Sequence, residues 1–395
     1  MRYRFGSFEI VAETREFLAS GQPRAVEPQV FDLLLHLVQE RHRLVPVDEL
    51  VDVVWNGRIV SDSAISARIS AARRVLGDDG RRQQWIRTVQ RRGFRFVGSA
   101  ETLRDGAPEA TPQHHQRVAF CHSRDGTRLA YATSGDGYPL VKAGHWLTHL
   151  EKDWNSPLWR PFLDRLSESF RVVRYDQRGN GLSQWDVADF SLERFVEDLE
   201  AVVAASGLDC FALYGTSQGA PAAVAYAARH PDRVSRLVLH GGYEKGRTVR
   251  ASEEERLKGE ALLTLIRHGW GMPDSAFIEA FATMFIPAGT QAQIDSLAEL
   301  QRSTTSPQNA AALRSAIDRF DVGAMLAEVR VPTLVIHARN DAVQPLDQGY
   351  RLAAGITGAE FLLLDSRNHV ILPQEPAWDV LFDALKRFLL SEPQS

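Results

Sequence analysis

The chain has 395 residues, 44% hydrophobic and 24% charged, with a formal net charge of −4. That composition speaks against a disordered or fibrous chain, and the length allows two to three domains, each with its own core. Two cysteines in so long a chain make no disulfide framework. The opening MRYRFGSFEI lacks the apolar core of a leader, and no run approaches ~18 uninterrupted apolar residues. The expectation is a cytoplasmic chain with no membrane partner, and no spacing of His or Cys predicts a metal or other cofactor. The charge is uneven. Residues 1–100 carry 16 Arg, no Lys and 12 Asp or Glu, a net +4, so the remainder carries −8. A basic module on an acidic body points to a polyanion partner for the first part only.

In chain order, Tyr3–Phe5, Phe8–Val11, Glu16–Ala19 and Gln22–Ala25 read as short strands separated by turn residues. Pro28 opens a helix whose apolar face is Val30, Phe31, Leu34, Leu35 and Val38. A second helix is predicted over Glu49–Trp55 and a third over Ser61–Leu76, with Ser61 or Asp62 as cap. In the third, Ile65, Ile69, Ala72 and Leu76 form the buried face. Ser63, Ser66 and Ser70 lie opposite, with Arg68 and Arg73 on the flanks. Trp85–Val89 and Phe94–Val97 alternate as a hairpin around Gln90-Arg91-Arg92-Gly93.

A small sheet, three helices and a basic hairpin resemble the winged helix of the OmpR/PhoB family, in the receiver-less version of CadC-like regulators. The resemblance covers about residues 3–98 and is most specific in Thr88-Val89-Gln90-Arg91-Arg92-Gly93-Phe94-Arg95-Phe96. It implies that DNA is the partner, with Ser63, Ser66, Arg68, Ser70 and Arg73 on the reading helix and Arg91 and Arg92 in the wing. Ala71 stands where the family often has a base-reading arginine, which implies lean direct readout and more weight on phosphate contacts and DNA shape. The competing reading is a solvated arginine-rich face on a protein-binding domain. Residues 99–116, with two prolines and little apolar content, read as a linker between a domain at 1–98 and a second at 117–392.

From Val118 onward strands alternate with helices, which implies a mostly parallel sheet covered on both faces. The predicted strands are Val118–His122, Arg128–Thr133, Leu140–Ala143, Val172–Tyr175, Phe211–Leu213, Leu237–His240, Thr333–Ile336 and Glu360–Leu364. Gly215-Thr216-Ser217-Gln218-Gly219 falls between a short strand and a small-residue helix. This is the context of a nucleophile elbow, a sharp turn that lifts a weakly nucleophilic hydroxyl toward a base and backbone donors. With Asp176-Gln177-Arg178-Gly179-Asn180-Gly181-Leu182-Ser183 before it, the stretch from about 118 to 390 resembles the α/β-hydrolase fold.

The resemblance implies a Ser217, Asp341, His369 triad, in the family's chain order and each at the end of a strand. It implies an oxyanion site made by the backbone N–H groups of Gln218 and Trp146. Where the family reads His-Gly this chain reads Gly144-His145, so His145 either borders the site or is a structural histidine bonded to backbone. Residues 243–328 are too many for a bare connection and read as a helical cap. Its Trp270, Phe281 and Phe285, with His145, Trp146, Tyr243, Ser217 and His369, are candidates for an apolar ligand pocket; the competing reading of the aromatics is ordinary core.

The fold class is thus an α+β winged helix-turn-helix followed by a capped α/β-hydrolase fold. The expected function is a DNA-binding, homodimeric one-component regulator sensing a small apolar ester- or lactone-like molecule. The alternatives are a working esterase- or lactonase-type serine hydrolase tethered to DNA or degrading its own inducer, and a dimerisation scaffold with a relic site.

Overall fold

The computed structural model describes residues 2–12, 15–19, 22–55, 60–89, 92–103, 114–250, 252–272 and 276–391. The chain divides into two compact units, Met1–Pro112 and Gln113–Ser395. In the first, strands β1 (Arg2–Phe5), β2 (Phe8–Val11), β3 (Glu16–Ala19) and β4 (Gln22–Pro23) form an antiparallel meander. Helices α1 (Pro28–Gln39), α2 (Val47–Trp55) and α3 (Asp62–Val75) follow, then the hairpin β5 (Ile86–Val89) and β6 (Gly93–Phe96). A fifth strand, β7 (Glu101–Leu103), pairs antiparallel with β1, so the first sheet reaches into the stretch read as linker.

The apolar periodicity produces these elements directly. Val30, Phe31, Leu34, Leu37 and Val38 of α1 share one core with Ile69, Ala72 and Leu76 of the α3 segment, and Ile65 is buried as well. Ser61 caps α3 by accepting from the Ala64 N–H. Phe5 sits edge-on to Phe96, ring centroids 5.2 Å apart, and so joins meander to hairpin. The hairpin is fastened to the α1–α2 connection by reciprocal backbone bonds between Val45 and Phe94, of 2.8 and 2.9 Å.

The second unit is built on eight strands: β8 (Arg117–His122), β9 (Arg128–Ser134), β10 (Tyr138–Lys142), β11 (Phe170–Tyr175), β12 (Phe211–Thr216), β13 (Val234–His240), β14 (Thr333–Ala338) and β15 (Glu360–Leu364). Their order is β15-β14-β13-β12-β10-β11-β9-β8, parallel except for the pairings of β8 and β9. Neighbours along each central strand point to opposite faces. Val141, Val173, Leu213, Leu239 and Val335 pack under α6 (Leu192–Ser206) and α7 (Gly219–Arg229). Leu140, Val172, Ala212, Val238 and Leu334 pack under α5 (Arg160–Ser167) and α13 (Ala377–Leu390). Both faces are therefore apolar, which is why these strands read as unbroken hydrophobic runs.

A short α4 (Leu150–Trp154) follows β10, and α12 (Leu346–Gly355) lies between β14 and β15. Between β13 and β14 stand α8 (Glu253–Gly269), α9 (Ala276–Phe285), α10 (Gln291–Thr304) and α11 (Pro307–Ile317), in the stretch read as a helical cap. They share a core with Trp146, Trp159 and Phe195 of the sheet body.

Gly93 is a test of the hairpin's attachment. Its φ is +140°, and a Cβ there would stand 2.0 Å from the Val45 carbonyl oxygen, a backbone atom that cannot move aside. Gly93→Ala is expected to lower the stability of the first unit by about 2–4 kcal/mol. Thermal unfolding, with hydrogen exchange at residues 86–97, measures it.

Candidate functional site

Ser217 stands where β12 turns into α7, with φ +54°, a left-handed conformation that costs a serine about 1–3 kcal/mol. The surroundings impose it. The Ser217 N–H donates to the His240 carbonyl at 2.9 Å, and its own carbonyl accepts from Ala220 at 3.1 Å. A Cβ at Gly215 would lie 2.7 Å from Ala223 Cβ, and one at Gly219 would lie 2.6 Å from the Gly144 oxygen. Both glycines are thus steric requirements of the turn.

Asp341 follows β14 and His369 follows β15, and their side chains meet at 2.7 Å between Oδ2 and Nδ1. The other carboxylate oxygen accepts the backbone N–H groups of Val343 and Gln344 at 2.8 and 3.0 Å. Burial pushes the Asp341 carboxyl up, but the electrostatic attraction and hydrogen bond of the His369 ring, with the Gln344 N–H, outweigh it. The net position is below the usual carboxylate value. With Nδ1 committed to Asp341, Nε2 is the ring atom available to a ligand; it is buried and has no hydrogen-bond partner among the described residues. Gly241, at φ +57°, admits this ring, because a Cβ would sit 3.1 Å from His369 Cε1.

Ser217 and His369 line one small cavity with His145, Trp146, Leu147, Trp159, Phe285, Leu297 and Gln301; its volume of about 20 Å³ has room for roughly one water. The backbone N–H groups of Gln218 and Trp146 have no acceptor among the described residues. Gln218 is also the N-cap residue of α7, where the helix presents partial positive charge. His145 stacks on Trp159, centroids 4.9 Å apart, and its Nδ1 lies 3.1 Å from the Trp146 carbonyl. Burial first, then the charge of Lys142, holds its pKa well below the ordinary histidine value, so it is neutral. The two readings of His145 therefore meet in one residue, which is bonded to backbone and also forms part of the wall.

A relay of amides sets the loop's position. Gln218 Nε2 donates to Gln177 Oε1 at 3.0 Å, and Gln177 Nε2 donates to the His145 carbonyl at 2.6 Å. Asp176 holds the same loop from below, accepting from Thr148 Oγ1 at 2.7 Å and from the N–H groups of Leu150 and Leu182. The Asp176–Ser183 motif thus orients the loop that faces Ser217.

Of the expected pocket residues, His145, Trp146, Ser217, Phe285 and His369 reach the cavity. Tyr243, Trp270 and Phe281 do not. The Tyr243 hydroxyl donates to the Ile317 carbonyl at 3.0 Å. Trp270 and Phe281 pack edge-on to each other and to Trp146, each pair at 6.0 Å, forming a layer behind the wall. Trp270 and Phe281 thus pack on each other and on Trp146, while Tyr243 is held by its bond to the Ile317 carbonyl. Sequence reasoning missed Trp159, Leu297 and Gln301. The last two are one turn apart on α10, and the available signal was a glutamine on an apolar helix face.

In the first unit, Ser63, Ser66 and Ser70 are exposed along α3. Arg68 is half-buried and bonds Glu27 and Gln29. Arg73 requires a correction: it is 8% exposed and donates to the Ile86 carbonyl at 3.1 and 2.7 Å and to Thr88 Oγ1 at 2.8 Å. Its guanidinium ties α3 to the hairpin, because an arginine beside Ile69 and Ala72 on this short helix meets carbonyls before it meets solvent. Arg91 lies outside the described residues, and Arg92 is exposed in the turn. Arg87 and Arg95, missed as site candidates, face each other across the hairpin and are exposed. Directly opposed like charges are unfavourable unless an anion lies between them. Arg41 and His42 border the same groove.

The model of the α/β-hydrolase fold family matches residues 143–376, and that of the transcriptional regulatory protein C-terminal domain matches residues 21–96. The chain is 28% identical over 251 residues to a candidate carbamate hydrolase RutD of Agrobacterium fabrum, covering 61% of this chain and 91% of that one. It is also 28% identical over 259 residues to a pimeloyl-[acyl-carrier protein] methyl ester esterase of Nitrosomonas europaea, covering 64% and 97%. An esterase structure from Exiguobacterium antarcticum superposes with TM-score 0.60 at 20% identity, over 70% of this chain and all of that one, a likeness of fold.

Two measurements check the geometry. Arg73→Ala is expected to cost about 1–3 kcal/mol in thermal unfolding by orphaning the Ile86 carbonyl and Thr88, whereas Arg92→Ala leaves stability unchanged. A carboxyl whose pKa is depressed by folding contributes stability above its unfolded value, about 4, and loses it as pH falls through the folded value. Asp341→Asn is therefore expected to lower the melting temperature at pH 7 and to flatten the acid limb below about pH 4.

Proposed function

Because this chain belongs to the α/β-hydrolase fold family and opens with an OmpR/PhoB-type winged-helix DNA-binding domain, we propose that it is a one-component transcriptional regulator. Its hydrolase-like domain is the sensor, and the effector is a small, largely apolar ester- or lactone-like molecule held beside Ser217. The observation that carries this reading is the closed cavity at Ser217 and His369 in a chain that also contains a DNA-binding module. A cavity with room for roughly one water must change to admit a ligand. A site that changes on binding can couple to a second function, provided the ligand prefers one regulatory state.

The wider reading follows from these roles. The winged-helix domain at 1–98 contacts DNA through Ser63, Ser66 and Ser70 of α3 and through Arg91 and Arg92 of the wing. Arg68 joins them on release from Glu27. A single winged helix covers a short half-site, so a homodimer supplies the useful affinity. The chain works in the cytoplasm, where DNA is. The second domain occupies 117–392, with its cap at 243–328. Among the described residues no helix is long and apolar enough to cross a membrane.

A second reading, that the domain turns its effector over, is favoured by the 2.7 Å contact between Asp341 and His369, which leaves Nε2 as a base. In that reading His369 removes the Ser217 proton as Oγ attacks the carbonyl carbon. Asp341 stabilises the imidazolium, and the N–H groups of Gln218 and Trp146 hold the oxyanion. An alkyl fluorophosphonate separates the readings, since a competent Ser217 displaces fluoride and gains the phosphonyl mass. Turnover predicts an adduct that is absent from Ser217→Ala, together with an altered response of a reporter gene in that variant. Pure sensing predicts that Ser217→Ala retains its response. A DNA-binding role predicts that replacing Arg92, Arg87 and Arg95 together by Ala lowers operator affinity and reduces the slope of log affinity against log salt by about 1 to 3. Unchanged affinity would remove the wing from the interface.

A further inference from the structure

Gln301 is the feature of the second unit that the proposed function leaves unused. It is 1% exposed on α10, one turn after Leu297, and both residues form the wall of the Ser217 cavity. Neither its Oε1 nor its Nε2 has a hydrogen-bond partner among the described residues. Other buried glutamines are paired: Gln177 with His145 and Gln218, Gln293 with Gln374, Gln344 with Arg250, Gln348 with Lys245. Buried carboxamides with both ends unsatisfied are rare in folded chains, because each end forfeits its hydration.

The position of Gln301 is set by the helix that carries it. A capping box of Thr290 and Gln293 starts α10. At its other end Thr304 Oγ1 donates to the Thr148 carbonyl at 2.6 Å, and the Thr304 carbonyl accepts from the Gly181 N–H at 2.8 Å. Apart from His145, Thr216, Ser217 and His369 the rest of the wall is apolar or aromatic, and the Thr216 hydroxyl, His369 Nε2 and the indole N–H groups of Trp146 and Trp159 are also without partners among the described residues. No Lys, Arg, Asp or Glu lines the cavity, His145 is neutral, and the His369 ring is already paired with Asp341, so a charged ligand group would be buried uncompensated.

We propose that Gln301 sets the specificity of the Ser217 site, and that the effector carries, beside its ester- or lactone-like group, a neutral amide-like group, a carboxamide, lactam or carbamate. Its N–H donates to Gln301 Oε1 and its carbonyl accepts from Nε2, the pairing one planar amide makes with another. A single hydroxyl aligns well with only one of the two atoms. The inference rests on the reading that the Ser217 cavity receives the effector. Because that cavity has room for roughly one water, the ligand enters by displacing α10 from the elbow.

Benzamide and acetophenone, alike in size and shape, test this on the full-length protein, with binding followed by ligand-observed NMR and tryptophan fluorescence. Wild type is expected to bind benzamide at least about tenfold more tightly than acetophenone, and Gln301→Leu to abolish that preference. Without ligand, Gln301→Leu is expected to melt about 2–5 °C higher, since it removes two unpaired polar atoms from an apolar wall. Equal binding of both compounds in wild type and in Gln301→Leu, with loss of both in the cavity-filling Leu297→Trp, overturns the role of Gln301 and leaves the cavity standing. Binding that persists in a folded Leu297→Trp overturns the cavity reading and this inference with it. Failure of wild type to bind benzamide overturns the amide assignment, and a lowered melting temperature in Gln301→Leu shows that the side chain is structural.

Discussion

The left-handed backbone of Ser217 is the constraint to which the second unit is fitted. A serine holds φ +54° only where its neighbours leave no alternative, and here strand, helix and loop all close on the turn. β12 and α7 approach until Ala223 would touch a Cβ at residue 215, and the loop after β10 crosses so near that residue 219 can have none. The sheet order places β13 beside β12 and β14 beyond it, so Asp341 after β14 and His369 after β15 lie toward the same turn. The strain is small against the packing of two apolar sheet faces, which is why it persists at the one place where a side chain must stand clear of the sheet.

The loop opposite Ser217 is held by buried polar groups. Arg178 is 1% exposed and grips Asp198 through two bonds of 2.8 and 2.6 Å, with Asp125 at 2.8 Å. Such buried pairs contribute little net stability, because desolvation offsets most of the attraction; removing one partner is the costly change. Their value lies in geometry. With Arg178 fixed, Asp176 and Gln177 have single positions, and through Thr148 and the His145 carbonyl they set the loop whose His145, Trp146 and Leu147 border the cavity. The Gly181 turn is part of this arrangement, since a Cβ there would meet Asp176 Oδ2 at 2.2 Å.

In the first unit, arginine serves two purposes that composition does not separate. Arg73 fastens α3 to the hairpin, whereas Arg87, Arg92 and Arg95 remain in solvent. An excess of arginine marks a polyanion-binding module as a whole. Which guanidinium is spent inside depends on the carbonyls each can reach, and only the packed structure supplies them. The same holds for the cap. Its presence was evident from the length of the segment, but the destination of each aromatic ring was not, because Trp270 and Phe281 found partners in each other.

By itself the sequence pointed to both folds, to the strands along the chain, to the tight turn at Ser217, and to Asp341 and His369 after their strands, since each rests on local signals: short apolar runs, glycines at tight turns, and residues at strand ends. It also marked the basic hairpin by its alternation and its glycine. The tertiary structure decided what depends on groups distant in the chain. It made Arg73 a tie, paired Arg68 with Glu27, sent Tyr243 to the Ile317 carbonyl, and brought Gln301 of the cap into one cavity with Ser217. Hydrogen-bond satisfaction is a sum over neighbours in space, so a glutamine that no neighbour satisfies becomes visible only once the chain is folded around it.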